Sequence, residues 1–172
     1  MSRLFLLGAL LLLTGCWTSG PWYTSSDNRP AIPDGRYRLM AAEMPGEGDV
    51  LTIRRRPDGA TAIEGGDQAL SAIMLPLGKA PHRHILQLQR EDGVARGALY
   101  MLLDTDKGRY RLALLPCSGP WAKAAEASGG SIVRDPQSAA TCTFATQKAL
   151  LAALTAISKN ARFDFDLIPE AP

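Results

Sequence analysis

The chain is short of the side chains from which most active sites are built. Its 172 residues include only 2 histidines and 3 cysteines. There is no G-x-S-x-G elbow, no S-x-x-K, no Walker glycine loop and no dinucleotide-type glycine loop, so the common signatures of nucleophilic and nucleotide chemistry are missing. The cysteine spacing fits neither C-x-x-C nor a zinc-ligand pattern. Charge of one sign is not in excess: 19 Lys and Arg stand against 17 Asp and Glu, a formal +2. A chain this close to neutral lacks the electrostatic footprint of a nucleic-acid binder. Nor does any apolar run reach the 18 or so residues that a membrane-spanning helix needs. These gaps point away from an enzyme and from any cofactor.

What the chain does have starts at its amino terminus. Leu4 to Leu13 is a run of ten apolar residues preceded by Arg3. As a helix it would reach roughly 15 Å, about half the hydrocarbon core of a bilayer. A positive start, a short apolar stretch and small residues before a cut have the form of a secretory signal peptide. Leu13-Thr14-Gly15-Cys16 resembles the lipobox of bacterial lipoproteins. The resemblance covers the first sixteen residues. It implies that a diacylglyceryl group is carried on Cys16, that the chain is cut before it, and that the new amine is acylated. Three acyl chains at about 0.8 kcal/mol per buried CH₂ exceed what stable anchoring requires. Trp17, rather than Asp, follows the cysteine. In Gram-negative members of the family this implies a place in the outer membrane, facing the periplasm.

With Cys16 assigned to lipid, Cys117 and Cys142 remain. An even remainder in an exported chain reads as one disulfide. It closes a loop of about 25 residues, which the chain-entropy argument credits with roughly 3.5 kcal/mol. Loss of residues 1–15 removes Arg3 and no acid, leaving a formal charge of +1. The expected organisation is a signal peptide over 1–15, a lipidated flexible tether over 16–33 and a single globular domain over 34–172. The tether reading rests on the Ser, Thr, Gly, Pro and Asn content of WTSGPWYTSSDNRPAIP, which has no period.

From Asp34 onward the pattern predicts strands. Tyr37 and Leu39 alternate with arginines, Leu51 and Ile53 share a face, and Pro57-Asp58-Gly59 supplies a hairpin turn into Thr61 and Ile63. Leu70 to Leu75 is a further apolar stretch. Arg83 to Arg90 alternates again and turns at Glu91-Asp92-Gly93. Ala98 to Leu103 is nearly all apolar, as a central strand is, and Asp104 to Gly108 turns the chain into Arg109 to Leu115. GRYRL occurs twice, at Gly35–Leu39 and Gly108–Leu112, and two strands of similar environment explain it better than a duplication. Trp121 to Ala127 predicts a short helix ended by Gly129-Gly130. A longer one starts from a Thr146 cap, with Leu150, Leu151, Leu154 and Ile157 on one stripe and Asn160 ending it in a left-handed conformation. Phe163 to Ile168 predicts a last strand. The fold class is α+β: an antiparallel β-meander sheet, a C-terminal helix packed on one face, and one disulfide. The ending, Cys142-Thr143-Phe144 followed by the Leu150–Leu154 helix, resembles the close of small proteobacterial lipoproteins, a likeness that carries no activity with it.

Candidate chemistry is thin. His82 and His84 lie at i and i+2, so a strand points both to one face, where two imidazoles can hold a metal. No acid accompanies them in sequence, and loop histidines in solvent fit better. Asp104-Thr105-Asp106-Lys107-Gly108 starts like a calcium loop. Gly108 in its fifth position and Leu115 in its twelfth deny it the required oxygens, so the segment reads as a turn. Arg36, Arg38, Arg109 and Arg111 line the polar side of two strands and are the candidate binding residues, because guanidinium recognises carboxylate and phosphate. The same residues also guard sheet edges against aggregation. The expected function is therefore a membrane-anchored, non-catalytic module that binds or scaffolds an envelope protein or an anionic glycan or lipid. A periplasmic inhibitor or small-ligand binder, or an enzyme of unfamiliar motif, are the alternatives.

Overall fold

The computed structural model describes residues 15–43, 48–66, 68–91, 97–134 and 139–170. The apolar run Leu4 to Leu13 and the Asp92-Gly93 part of the predicted turn lie outside the described residues. Strands form in chain order at β1 (Trp17–Ser19), β2 (Gly35–Ala41), β3 (Gly48–Arg55), β4 (Thr61–Gly65), β5 (Gln68–Pro76), β6 (Arg83–Arg90), β7 (Ala98–Asp104), β8 (Tyr110–Ala113), β9 (Gly130–Val133), β10 (Thr141–Phe144) and β11 (Phe165–Pro169). Two helices, α1 (Gly119–Ala127) and α2 (Gln147–Ser158), flank β9 and β10.

The predicted meander is present, and it closes on itself. Each of β2 to β8 pairs antiparallel with the next, and β11 enters antiparallel between β8 and β2. Leu167 faces Leu39 on one side and Tyr110 on the other. The result is an eight-stranded up-and-down barrel, an arrangement that leaves no unpaired barrel edge. One face of each strand points into the lumen. Leu39, Leu51, Ile53, Ile63, Leu70, Leu86, Met101, Leu112 and Leu167 fill it, leaving an apolar space of about 40 Å³. Eight strands make an interior just wide enough for side chains to fill, and here they do.

The repeat GRYRL finds its explanation in the closure. One copy belongs to β2, the other leads into and through β8, and both flank β11. Tyr37 and Tyr110 meet beneath β11 with ring centroids 5.8 Å apart at 88°, edge to face. Two strands occupying equivalent positions beside one partner need the same inward tyrosine and leucine.

A second core lies outside the barrel. Ile73, Ile85, Tyr100 and Leu102 point outward from β5 to β7 against Leu150, Ala153, Leu154 and Ile157 of α2 and Ala125 of α1. This is the predicted helix packed on one face. Thr146 caps it by accepting a hydrogen bond from the Ala149 amide at 3.2 Å. The helix does not end through a left-handed Asn160: Lys159 is still right-handed, and Lys107 is the one non-glycine residue with positive φ among the described residues. β9 and β10 extend the sheet beyond β1, which pairs in parallel with β10 and antiparallel with the start of β7.

Residues 17–33 are not a free tether. Trp17 is fully buried, its amide bonds the Leu115 carbonyl at 3.0 Å, and Ser19 Oγ donates to the Phe144 carbonyl at 2.6 Å. Gln87, buried on the outward face of β6, holds both backbone groups of Tyr23: its Oε1 accepts from the amide at 3.0 Å and its Nε2 donates to the carbonyl at 2.8 Å. Tyr100 Oη lies 2.6 Å from the Gly20 carbonyl. Asn28 donates to the Gly59 carbonyl and accepts from the Met74 amide, continuing the β5 edge where β4 has ended. Ile32 then plugs that end of the lumen. Polar residues that make strand-like bonds look like linker residues in composition. The folded unit includes the segment from Cys16 onward, not only that from Asp34.

This seam makes the fold alkali-sensitive. Burial pushes the Tyr100 phenol up to about 12 from its ordinary 10. Below pH 10 both folded and unfolded chains keep the proton and nothing changes. Between pH 10 and 12 the unfolded chain loses it while the folded chain retains it, so stability falls as pH rises. At 1.36 kcal/mol per unit the loss is about 2–3 kcal/mol. Urea titrations at pH 9 and 11.5 should show this drop in the wild type and a smaller one in Tyr100→Phe.

Candidate functional site

Cys16 sits where three chain segments meet. It bridges Pro116, its carbonyl accepts from the Cys142 amide at 3.3 Å, and the Cys117 amide donates to the Gly15 carbonyl. Cys117 and Cys142 form the predicted disulfide, with Cα atoms 5.2 Å apart and a sequence separation of 25. That bond staples the end of the β8 segment to β10, with Cys16 alongside. The Cys16 residue is 4% exposed, and burial pushes its thiol up to about 11. A thiol this weakly acidic supplies little thiolate at neutral pH.

Beside Cys16 opens a cavity of about 340 Å³. Leu114, Pro116, Trp121, Ala139 and Ala140 give it apolar walls, and Arg162 and Asp164 also line it. Asp164 is held by the Leu114 amide, which donates to its Oδ2 at 2.9 Å. Ser118, at the start of α1, also lines the cavity and makes no capping bond through its side chain.

The four arginines singled out in sequence all stand on the outer side of the strands that flank β11, but their guanidinium groups part. Arg36 and Arg38 on β2 both reach Glu170 at the end of β11, Arg36 at 3.4 Å. Arg109, just ahead of β8, lies 3.9 Å from Asp166 of β11. The three thus form a ladder of alternating sign across β2, β11 and β8, with Ile168 46% exposed within it. Arg111, opposite Asp166 in register, turns the other way across β8. Its Nη2 lies 2.6 Å from Asp104 Oδ2, and Arg83 Nη2 approaches the same oxygen at 3.7 Å. Both guanidinium groups lie over the Phe163 ring, 4.8 and 4.7 Å from its centroid. Nothing in the spacing of Arg83, Asp104, Arg111 and Phe163 announces this cluster, because four separate segments supply it.

The histidines part company. His82 stays in the turn before β6, where its carbonyl accepts from the Thr105 amide at 2.8 Å. His84 points inward on β6 and is 8% exposed, so it is not a solvated loop residue. Burial lowers its pKa, and its Nδ1 has no hydrogen-bond partner among the described residues. The two imidazoles therefore do not converge as paired ligands. Asp104 to Gly108 forms the predicted turn, with Asp106–Gly108 in a single 3₁₀ turn and Lys107 left-handed.

The architecture is that of a small closed antiparallel barrel carrying a disulfide-stapled β and helical layer on its outside. The chain matches no protein-family model, no curated protein and no solved structure. No helix among the described residues is long and apolar enough to cross a membrane.

Proposed function

We propose that the chain is a bacterial lipoprotein of the cell envelope, anchored through lipid on Cys16 in the outer membrane and facing the periplasm. Its barrel is a non-catalytic module that docks another envelope protein through the outer face of β2, β11 and β8. The observation that carries the docking surface is the ladder Arg36, Arg38, Glu170, Asp166 and Arg109 around exposed Ile168. Each arginine there already faces a carboxylate, so the face presents little free positive charge to an anionic glycan or lipid headgroup. A protein surface of alternating charge with an apolar recess fits it better, because complementary patterning fixes register and rejects wrong partners.

Crosslinking in intact cells, followed by capture of the lipidated protein, tests the reading. A specific envelope protein should be enriched, and Ile168→Glu combined with Arg36→Ala and Arg109→Ala should reduce that enrichment at least tenfold. Enrichment that survives the triple variant removes this face, and carry-over that simply follows detergent concentration removes the docking role.

A further inference from the structure

The Gly15–Cys16 amide makes a contact that processing would break. The Cys117 amide donates to the Gly15 carbonyl, and Cys117 is 5% exposed. Cleavage before Cys16 removes that carbonyl. A free amine in its place donates and cannot accept from another N–H once protonated, so the Cys117 N–H would be left buried and unpaired, which costs free energy.

We propose that an acyl chain in amide linkage to the Cys16 amine takes the place of Gly15, its carbonyl accepting from the Cys117 amide and its tail entering the cavity of Leu114, Pro116, Trp121, Ala139 and Ala140. This rests on the lipoprotein reading above and deepens it. The replacement is atom for atom: the same nitrogen, a trans amide, a carbonyl oxygen in the same position, and an unbranched CH₂ where Gly15 has its Cα. The space demands that lack of branching. A Cβ on Gly15 would stand 2.8 Å from the Ala139 Cβ, and Gly15 holds φ at +120°, a region that side chains resist. An acyl chain carries no branch there and no φ preference. The donor is an ester of a membrane phospholipid. The new C–N bond forms as the ester C–O bond breaks, and one amine proton leaves with the alcohol. Because strand β1 starts at Trp17, the domain has no slack between itself and its anchor. It therefore rides against the bilayer with the Cys16 cavity toward the lipid.

The test compares the full lipidated protein prepared from two hosts, one that acylates the amine and one that lacks that step, each reconstituted in phosphatidylcholine vesicles. Hydrogen exchange is read at the amides of Cys117 and Trp17, and mass spectrometry reads the lipid on Cys16. The Cys117 amide should exchange at least tenfold more slowly in the acylated form. The Trp17 amide, bonded to the Leu115 carbonyl in either form, should hardly change. Equal exchange at Cys117 in the two forms, or slowing shared equally by Trp17, overturns the replacement while leaving the anchor intact. Absence of any glycerolipid mass on Cys16 overturns the anchor and the replacement together.

Discussion

Trp17→Ala should cost about 3–5 kcal/mol of folding stability, the range for truncating a fully buried aromatic. The indole has no exposed surface, lies 5.1 Å from the Phe144 ring at 54°, and belongs to the outer core with Cys117, Cys142, Tyr100 and Leu150. No neighbouring chain can collapse into the hole easily, since Trp17 is held in parallel register opposite Cys142. A residue of a solvated tether would give a change within about 0.5 kcal/mol on the same substitution. The two pictures thus differ by several kcal/mol, against a total domain stability of roughly 5–15 kcal/mol. Urea unfolding of wild type and variant settles the matter through the midpoint at constant m-value. Trp17→Phe offers a finer check. The Trp17 Nε1 is buried with no partner among the described residues, so phenylalanine removes an unsatisfied donor along with some packing and should cost much less.

What could be read in advance followed from locality. The turns at Pro57-Asp58-Gly59 and Asp104 to Gly108, the Thr146 cap and the alternation in β2 and β3 depend on neighbours in sequence, and all are found, whereas β6 is buried on both faces from His84 to Leu88. The near-continuous apolar run of Ala98 to Leu103 has a reason that only the fold supplies. Leu99, Met101 and Leu103 line the lumen while Ala98, Tyr100 and Leu102 carry the second core, so both faces of β7 are buried. Closure depends on pairing Phe165–Pro169 with Tyr37–Ala41, more than a hundred residues away, and no local pattern encodes that contact. Composition reads residues 17–33 as a tether because it records side-chain polarity and not where the hydrogen bonds go. The sign of the docked segment lies in β6: the outward face carries Arg83, Ile85, Gln87 and Gln89, and Gln87 is nonetheless fully buried because it binds the backbone of Tyr23. Of the candidate binding arginines, Arg36, Arg38 and Arg109 share a face as their alternation implied. Arg111 also faces outward, opposite Asp166 of β11, but its guanidinium turns to Asp104 of β7 instead of toward β11.

Asp104→Asn should be the most damaging conservative change in the barrel wall, again at about 3–5 kcal/mol. The Asp104 side chain is 2% exposed, with Arg83 and Arg111 at 19% and 33%. Exposed pairs such as Arg36–Glu170 are typically worth about 0–1 kcal/mol, because water and salt screen them and ordering long side chains opposes them. A buried carboxylate between two guanidinium groups is different. Asparagine keeps the shape and can still accept from the Asp106 amide, which bonds Oδ1 at 3.1 Å in the wild type. It removes the charge, and two arginines stacked over one phenylalanine ring are left to repel each other with little water to screen them. Among the described residues Arg83 Nη1 and Arg111 Nε already lack hydrogen-bond partners, so no spare acceptor is at hand there to redistribute. Raising salt should restore little, since screening acts weakly on buried charge. Replacing Arg111 and Asp104 together, with Met and Leu, should be less costly than Asp104→Asn alone, because only Arg83, 3.7 Å from the carboxylate in the wild type, is then left without its partner. Hydrophobic replacements of buried ion pairs are often neutral, whereas orphaned charges are not. Urea midpoints for the single and double variants at low and high salt separate these outcomes. A double variant as unstable as the single one would mean that Asp104 acts through its own backbone turn rather than through the two arginines.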